Sequence, residues 1–83
     1  MDAELQRFTE LWDDKSTRPE AKAYAVAYCG SHDLSGYERH TMEDLVGLVG
    51  EARAAGDEAE RVRLDIWLLA TYEPQQITAT FHK

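Results

Sequence analysis

The segment from Val62 to Tyr72, with the sequence VRLDIWLLATY, constrains the fold more than any other part of the chain. In a helix, successive side chains are rotated by about 100°, so the apolar residues of this segment fall on two opposite sides. One side carries Ala59, Val62, Ile66 and Leu69, and the other carries Leu64, Trp67, Leu68 and Thr71. A helix that is apolar on two sides must be covered twice. We therefore predict that it is either the centre of the fold or one wall of an interface.

A polar strip separates these two sides and carries Glu58, Arg61 and Asp65. Arg61 and Asp65 are four residues apart, which is the spacing at which opposite charges meet on a helix surface. The sequence therefore predicts an ion pair between these two residues.

The chain has 83 residues, of which 43% are hydrophobic. A chain of this length folds as one domain with a thin core, so we expect residues 1–83 to form a single domain. The first twelve residues lack the cationic start and apolar core of a signal peptide, and no apolar run approaches the roughly 20 residues that a bilayer requires. The single cysteine, Cys29, cannot form an internal disulfide. This fits a reducing compartment, and we expect a cytoplasmic protein without a membrane segment.

Periodicity and capping residues predict an all-α fold of four short helices in two antiparallel hairpins. The expected helices are residues 3–14, a second from near Pro19 to Gly30, residues 42–55 and residues 58–72. Thr41 and Asp57 are predicted to cap the starts of the last two helices, and Gly56 to end the third. Residues 30–40 are expected to form a polar loop.

The C-terminal stretch has the sequence QITATFHK, in which apolar residues alternate with threonine. Alternation is typical of a strand, so we predict an extended C-terminal tail after Pro74. Residues 23–28 also alternate, which leaves an α+β alternative in which residues 23–28 and 76–82 pair as two strands. Pro19 and the alanines that follow it favour a helix for residues 23–28.

Cys29, His32 and His40 are the only plausible metal ligands that lie near one another in the sequence, with Asp33 and Glu38 between them. The alternative is a half-buried cysteine at a helix end and two solvated histidines. Their spacing matches no common zinc pattern. A Cys–His nucleophile pair would also need a third orienting group and an oxyanion site, and the sequence indicates neither. We expect no catalytic residues, no metal and no cofactor.

The chain carries 16 acidic residues and nine Lys and Arg, for a net charge of −7. A charge of this sign repels nucleic-acid phosphates, so direct nucleic-acid binding is not expected. The acidic surface has two interpretations. It keeps a small protein soluble, or it imitates DNA and inhibits a nucleic-acid-binding protein.

Two features predict that the chain binds a protein partner or itself. Part of the second apolar side of the last helix is available to a partner unless the other helices cover it, and aromatic residues are effective anchors at interfaces. In the third helix, Gly47 and Gly50 share one side, where they indicate the close approach of another backbone; the alternative is a helix that tolerates glycine. The predicted partner-binding residues are Leu64, Trp67, Leu68, Tyr72, Gly47 and Gly50. We expect a non-enzymatic protein-interaction domain, with the DNA-mimicking inhibitor as the alternative.

Overall fold

The computed structural model describes residues 2–81, which form five α-helices and no strand within that range. The helices are α1 (Ala3–Asp13), α2 (Arg18–Ser31), α3 (Met42–Ala55), α4 (Glu58–Thr71) and α5 (Pro74–Phe81). Single turns of 3₁₀ helix, Lys15–Thr17 and Ser35–Tyr37, lie in the α1–α2 and α2–α3 connections. The all-α prediction is confirmed, although the chain has one helix more than expected.

The helix starts follow from side chains that accept hydrogen bonds from otherwise unpaired backbone amides. Asp2 accepts from the Leu5 amide at 2.9 Å and begins α1. Thr41 and Asp44 form a reciprocal capping box at the start of α3. Between α3 and α4, Gly56 adopts the left-handed conformation with φ of 74°, and the Asp57 side chain accepts from the Glu60 amide at 3.2 Å. These capping predictions for α3 and α4 are confirmed.

Helix α4 is the centre of the fold, because it packs against α1, α2, α3 and α5. Both predicted sides contribute buried apolar side chains, namely Val62, Leu64, Ile66, Leu68 and Leu69. Two separate hairpins therefore describe the fold only in part, since α2 packs closely on α4 as well as on α1.

The prediction of an extended C-terminal tail is wrong, because residues 74–81 form α5. Ile77 is buried in the core, and the hydroxyl groups of Thr78 and Thr80 donate to the carbonyls of Pro74 and Gln76, each at 3.0 Å. Bonds to the carbonyl four residues earlier let threonine satisfy its hydroxyl within a helix. Residue 82, the end of the strand predicted for 76–82, lies outside the described residues.

The second half of the α+β alternative is also wrong, since residues 23–28 lie within α2. Helix α2 runs to Ser31, one residue past the predicted end at Gly30, and closes with the His32 amide donating to the Tyr28 carbonyl at 2.9 Å. None of the helices in residues 2–81 is long and apolar enough to cross a membrane.

Candidate binding surfaces

The structure divides the predicted partner-binding residues of α4 into two groups. Leu64 and Leu68 are 1% and 0% exposed, so their side chains lie in the core of the chain and not on its surface. This corrects the expectation that they form part of an exposed apolar face. Trp67 and Tyr72 are half-buried, and whether they contact a partner stays a prediction.

Trp67 packs beside Tyr37, with ring centroids 6.3 Å apart. The Tyr37 hydroxyl donates to Glu60 Oε1 at 2.6 Å, and Arg63 Nη2 donates to Glu60 Oε2 at 3.1 Å. Burial, followed by the bond to Glu60, raises the pKa of Tyr37 to about 12. The polar groups around Trp67 therefore bond to one another, which makes this edge of α4 a closed packing contact between the α2–α3 connection and α4.

Gly47 and Gly50 are exposed on the outer side of α3. No atom outside the local helix backbone lies within 4 Å of the place that a Cβ would take at either glycine. The prediction of a close backbone contact is therefore wrong for this chain's own helices. A shallow depression beside Gly47 is lined by His40 and Leu48 and by three carboxylates, Glu43, Asp44 and Glu51.

The outer face of α2 is apolar and uncovered. From Ala23 to Ser31 the helix has no charged residue. Ala21, Ala25 and Tyr28 point into the core, whereas the side chains that share the opposite side are exposed. We call this set the α2 outer face: Ala23, Val26, Ala27 and Gly30.

Val26 is 52% exposed and is the one large hydrophobic residue found exposed in the part of the chain that the structure describes. The four residues are spaced as i, i+3, i+4 and i+7, which places them in one stripe along the helix. The sequence contains the signal for this face as nine residues without a charge, but the sequence-based prediction, which favoured a helix here, did not identify it as a binding surface.

A small groove between α1 and α2 borders the α2 outer face. It is lined by Glu4, Tyr24, Ala27, Tyr28 and Ser31 and has a volume of about 140 Å³. The Tyr24 hydroxyl donates to the Glu4 carbonyl at 2.9 Å, which fixes the Tyr24 ring at the groove. Burial raises the pKa of both tyrosine hydroxyls above the ordinary value. The Glu4 carboxylate gives the groove an acidic edge.

The residues considered for metal binding or nucleophilic chemistry have other contacts in the structure. His32 stacks on Tyr28 with ring centroids 3.9 Å apart, and its Nε2 lies 3.6 Å from Glu4 Oε1. Burial raises the pKa of the Cys29 thiol, which keeps it in the weakly nucleophilic thiol form. Within residues 2–81, no three His, Cys, Asp or Glu side chains are grouped as a metal site requires.

Comparisons of the chain with protein-family models, with curated proteins and with solved structures found no match.

Proposed function

We propose that this chain is a non-enzymatic interaction domain that binds an amphipathic helix of a protein partner across the α2 outer face. The observation that carries the proposal is the exposed, uncharged α2 outer face on a chain whose net charge is −7. Exposed apolar residues that are contiguous on one helix face often indicate an interaction site. The sequence expectation of a cytoplasmic location is part of this proposal.

The shape of the α2 outer face suits a helix better than a loop. Ala23, Ala27 and Gly30 have small side chains or none, so another helix can approach the backbone of α2 closely. Val26 stands among them and supplies a side chain to insert between residues of the partner. Helices recognised in this way place apolar anchors at i, i+3, i+4 and i+7, which is the spacing of the α2 outer face itself.

The charge around this face indicates a basic partner. Glu20 is exposed near the start of α2, and Glu4 is exposed at the groove beside Ala27. Together with the net charge of −7, these carboxylates attract a helix whose apolar side is flanked by Lys or Arg. A second copy of this chain would instead bring a like charge of −7, which opposes self-association. We therefore favour a different, basic protein over a homodimer.

The test uses Ala27→Lys in the α2 outer face and Ala54→Lys on α3 as the matched control, since both alanines are exposed. Proteins captured from extract of the native cells by the parent chain and by both variants are identified by mass spectrometry. A protein held by the parent and by Ala54→Lys, but lost with Ala27→Lys, supports the proposal when its bound segment maps to a basic amphipathic helix.

Two other outcomes contradict the proposal. Captured proteins that Ala27→Lys retains, and that dissociate steeply as salt rises, would instead support the DNA-mimicking alternative. Sedimentation that shows a dimer of the parent, disrupted by Ala27→Lys, would mean that a second copy occupies this face.

A further inference from the structure

A second surface feature is a cavity of about 490 Å³ to which all five helices contribute. This volume lies within the range of roughly 300–1,000 Å³ that is usual for small-molecule sites. Its apolar lining residues are Trp12 of α1, which is half-buried, and Leu68, Leu69 and Ile77 of α4 and α5, which are buried. The cavity is separate from the α2 outer face, with which it shares no lining residue.

The cavity gathers positive charge on an otherwise acidic protein. Its charged lining residues are Lys15, Arg18, Arg53, Arg61, Asp13 and Asp65. Four of the chain's nine Lys and Arg residues therefore meet at one cavity, against two carboxylates, although the chain as a whole has a charge of −7. The cations come from the α1–α2 connection and from the helices α2, α3 and α4, so no single run of the sequence contains them.

Two of these cations are already held by the protein. Arg61 Nη1 lies 3.0 Å from Asp65 Oδ2, and Arg61 Nη2 lies 2.8 Å from Glu58 Oε2. The Arg18 guanidinium sits 4.7 Å above the Trp12 ring, and its Nε donates to the Trp12 carbonyl at 3.2 Å. These contacts fix both side chains at the cavity, and no terminal nitrogen of Arg18 takes part in a hydrogen bond within residues 2–81.

Lys15 and Arg53 differ from Arg61, because neither forms an ion pair within residues 2–81. Of the two lining carboxylates, Asp65 forms its ion pair with Arg61, and no ion pair within residues 2–81 joins Asp13 to Lys15 or Arg53. The cavity thus presents Lys15, Arg53 and the terminal nitrogens of Arg18 to a ligand, beside an apolar wall.

We propose that this cavity binds a small organic phosphate, with the phosphate held by Lys15, Arg18 and Arg53 and the organic group placed against Trp12 and Ile77. A phosphate monoester carries about −1.5 to −2 charge at pH 7 and three acceptor oxygens. This matches the net positive charge of the lining residues and the three donors better than a carboxylate, which has two oxygens and one charge. Arg and Lys are the residues that recognise phosphate in proteins.

The test is an NMR titration of the isotope-labelled chain with phenyl phosphate, compared with phenol, benzoate and inorganic phosphate. We expect saturable shifts of the Trp12 indole and Ile77 methyl signals with phenyl phosphate, and weaker binding of each of the other three compounds. Phenol removes the charge, inorganic phosphate removes the organic group, and benzoate exchanges phosphate for carboxylate.

The variants Lys15→Gln and Arg53→Gln remove one proposed contact each, and both side chains are exposed and make no ion pair whose loss would unfold the chain. We expect each to weaken phenyl phosphate binding by about tenfold, as the loss of one charged hydrogen bond does. Arg39→Gln is the matched control, since Arg39 is exposed and does not line the cavity. Its binding should equal that of the parent.

Three outcomes overturn the proposal. The first is the absence of saturable binding at millimolar phenyl phosphate. The second is equal weakening by Arg39→Gln, which would mean a general charge effect. The third is binding of phenol, benzoate or inorganic phosphate as tight as that of phenyl phosphate. None of these results bears on partner binding at the α2 outer face.

Discussion

Helices α4 and α2 both contain apolar residues on more than one side, but the fold covers them differently. Four other helices surround α4, and Val62 on this helix is 1% exposed. Helix α2 packs against α1 and α4 and leaves its outer face bare, so Val26 is 52% exposed. The apolar content of a helix therefore does not by itself show how much of the helix is covered. The extent of coverage depends on how many other helices pack against it.

The charges of the two helices differ in the same way. On α4, Arg61 pairs with Asp65 and Glu58, and Arg63 pairs with Glu60. The α2 outer face has no charge to pair. The polar residues of a helix inside a fold thus need hydrogen-bond or ion-pair partners within the same chain. An exposed apolar face without charges is compatible with the binding of another protein.

The largest difference in stability should appear when valine is replaced by alanine on α4 and, separately, on α2. Val62→Ala removes buried methyl groups and should lower the free energy of unfolding by about 2–3 kcal/mol. Val26→Ala removes mostly exposed surface and introduces a better helix former, so its effect should stay within about 0.5 kcal/mol. Urea unfolding of both variants measures the difference. Equal losses would mean that α2 and α4 are covered to the same extent.

Asp65 on α4 should make stability depend on pH. Burial raises the pKa of this carboxyl from 3.8 to about 6, against the opposing charges of Arg61 and Arg53 and with the support of Asp13. Because the folded chain then binds a proton more tightly than the unfolded chain, the stability contributed by protonated Asp65 is lost as pH rises through about 6.

Asp65→Asn removes this titration. As pH rises from 4 to 7, the parent should lose about 2 kcal/mol of stability that the variant keeps. The shift of about two pKa units corresponds to 1.36 kcal/mol per unit, and the total is reduced because the Asp65 side chain is partly exposed. Chemical unfolding at a series of pH values tests this. Glu51→Gln, at an exposed carboxylate of α3, serves as the control. Parallel pH profiles for Asp65→Asn and the parent would contradict the prediction.

Glycine substitutions distinguish the exposed side of α3 from its end. Gly56→Ala should destabilise the chain by about 1–2 kcal/mol, because the residue has φ of 74°. Gly47→Ala and Gly50→Ala should each stabilise it by up to about 1 kcal/mol, since alanine is the better helix former and nothing lies near the new methyl group. Thermal melts of the three variants test the signs. A loss of stability at Gly47 or Gly50 would reveal a contact on this side.

The smallest expected effect is at the edge of α4. Tyr37→Phe removes the half-buried hydrogen bond to Glu60 and should cost about 1 kcal/mol. Tyr24→Phe is the control, because the bond from Tyr24 to the Glu4 carbonyl is exposed and should contribute less. Denaturant midpoints measure both, and a larger loss for Tyr24→Phe would show that the edge of α4 is more open than its contacts indicate.

Local signals in the sequence were sufficient for much of the fold. Thr41, Gly56 and Asp57 marked the junctions of α3 and α4, because capping depends on residues only a few positions apart. The same applies to the ion pair between Arg61 and Asp65. Each of these features is fixed by the chemistry of one helical turn.

Helix α5 was missed although it also has a local start signal. Pro74 occupies its first position, and the Gln76 side chain accepts from the Glu73 amide at 2.9 Å. Proline at a helix start and glutamine two residues later are typical of an N-terminus. Alternation over eight residues fits a strand as well, and only the burial of Ile77 against the core decides between the two.

The two proposed binding features differ in how far the sequence could reveal them. The α2 outer face follows from one uncharged run, once the side of α2 that faces the core is known. The cavity could not be found in this way, because Lys15 and Thr78 line it together from opposite ends of the chain. Sites of this kind depend on tertiary packing.

The short junction at Gly56 and Asp57 also bears on the order in which the chain folds. Helices α3 and α4 are joined by only these two residues, so bringing them together closes a small loop. Contact of α2 with α4 spans far more chain: the bond from Lys22 Nζ to the Leu69 carbonyl joins residues 47 positions apart. Because the entropic cost of closure grows with loop length, we expect α3 and α4 to pair first.

Stopped-flow kinetics tests this order. Gly56→Ala should mainly slow folding, and Lys22→Met should mainly speed unfolding, since contacts formed after the rate-limiting step act on the unfolding rate. The reverse pattern would contradict it. We therefore expect the central helix, attached to α3 by two residues, to act as an early template on which α1, α2 and α5 complete the core.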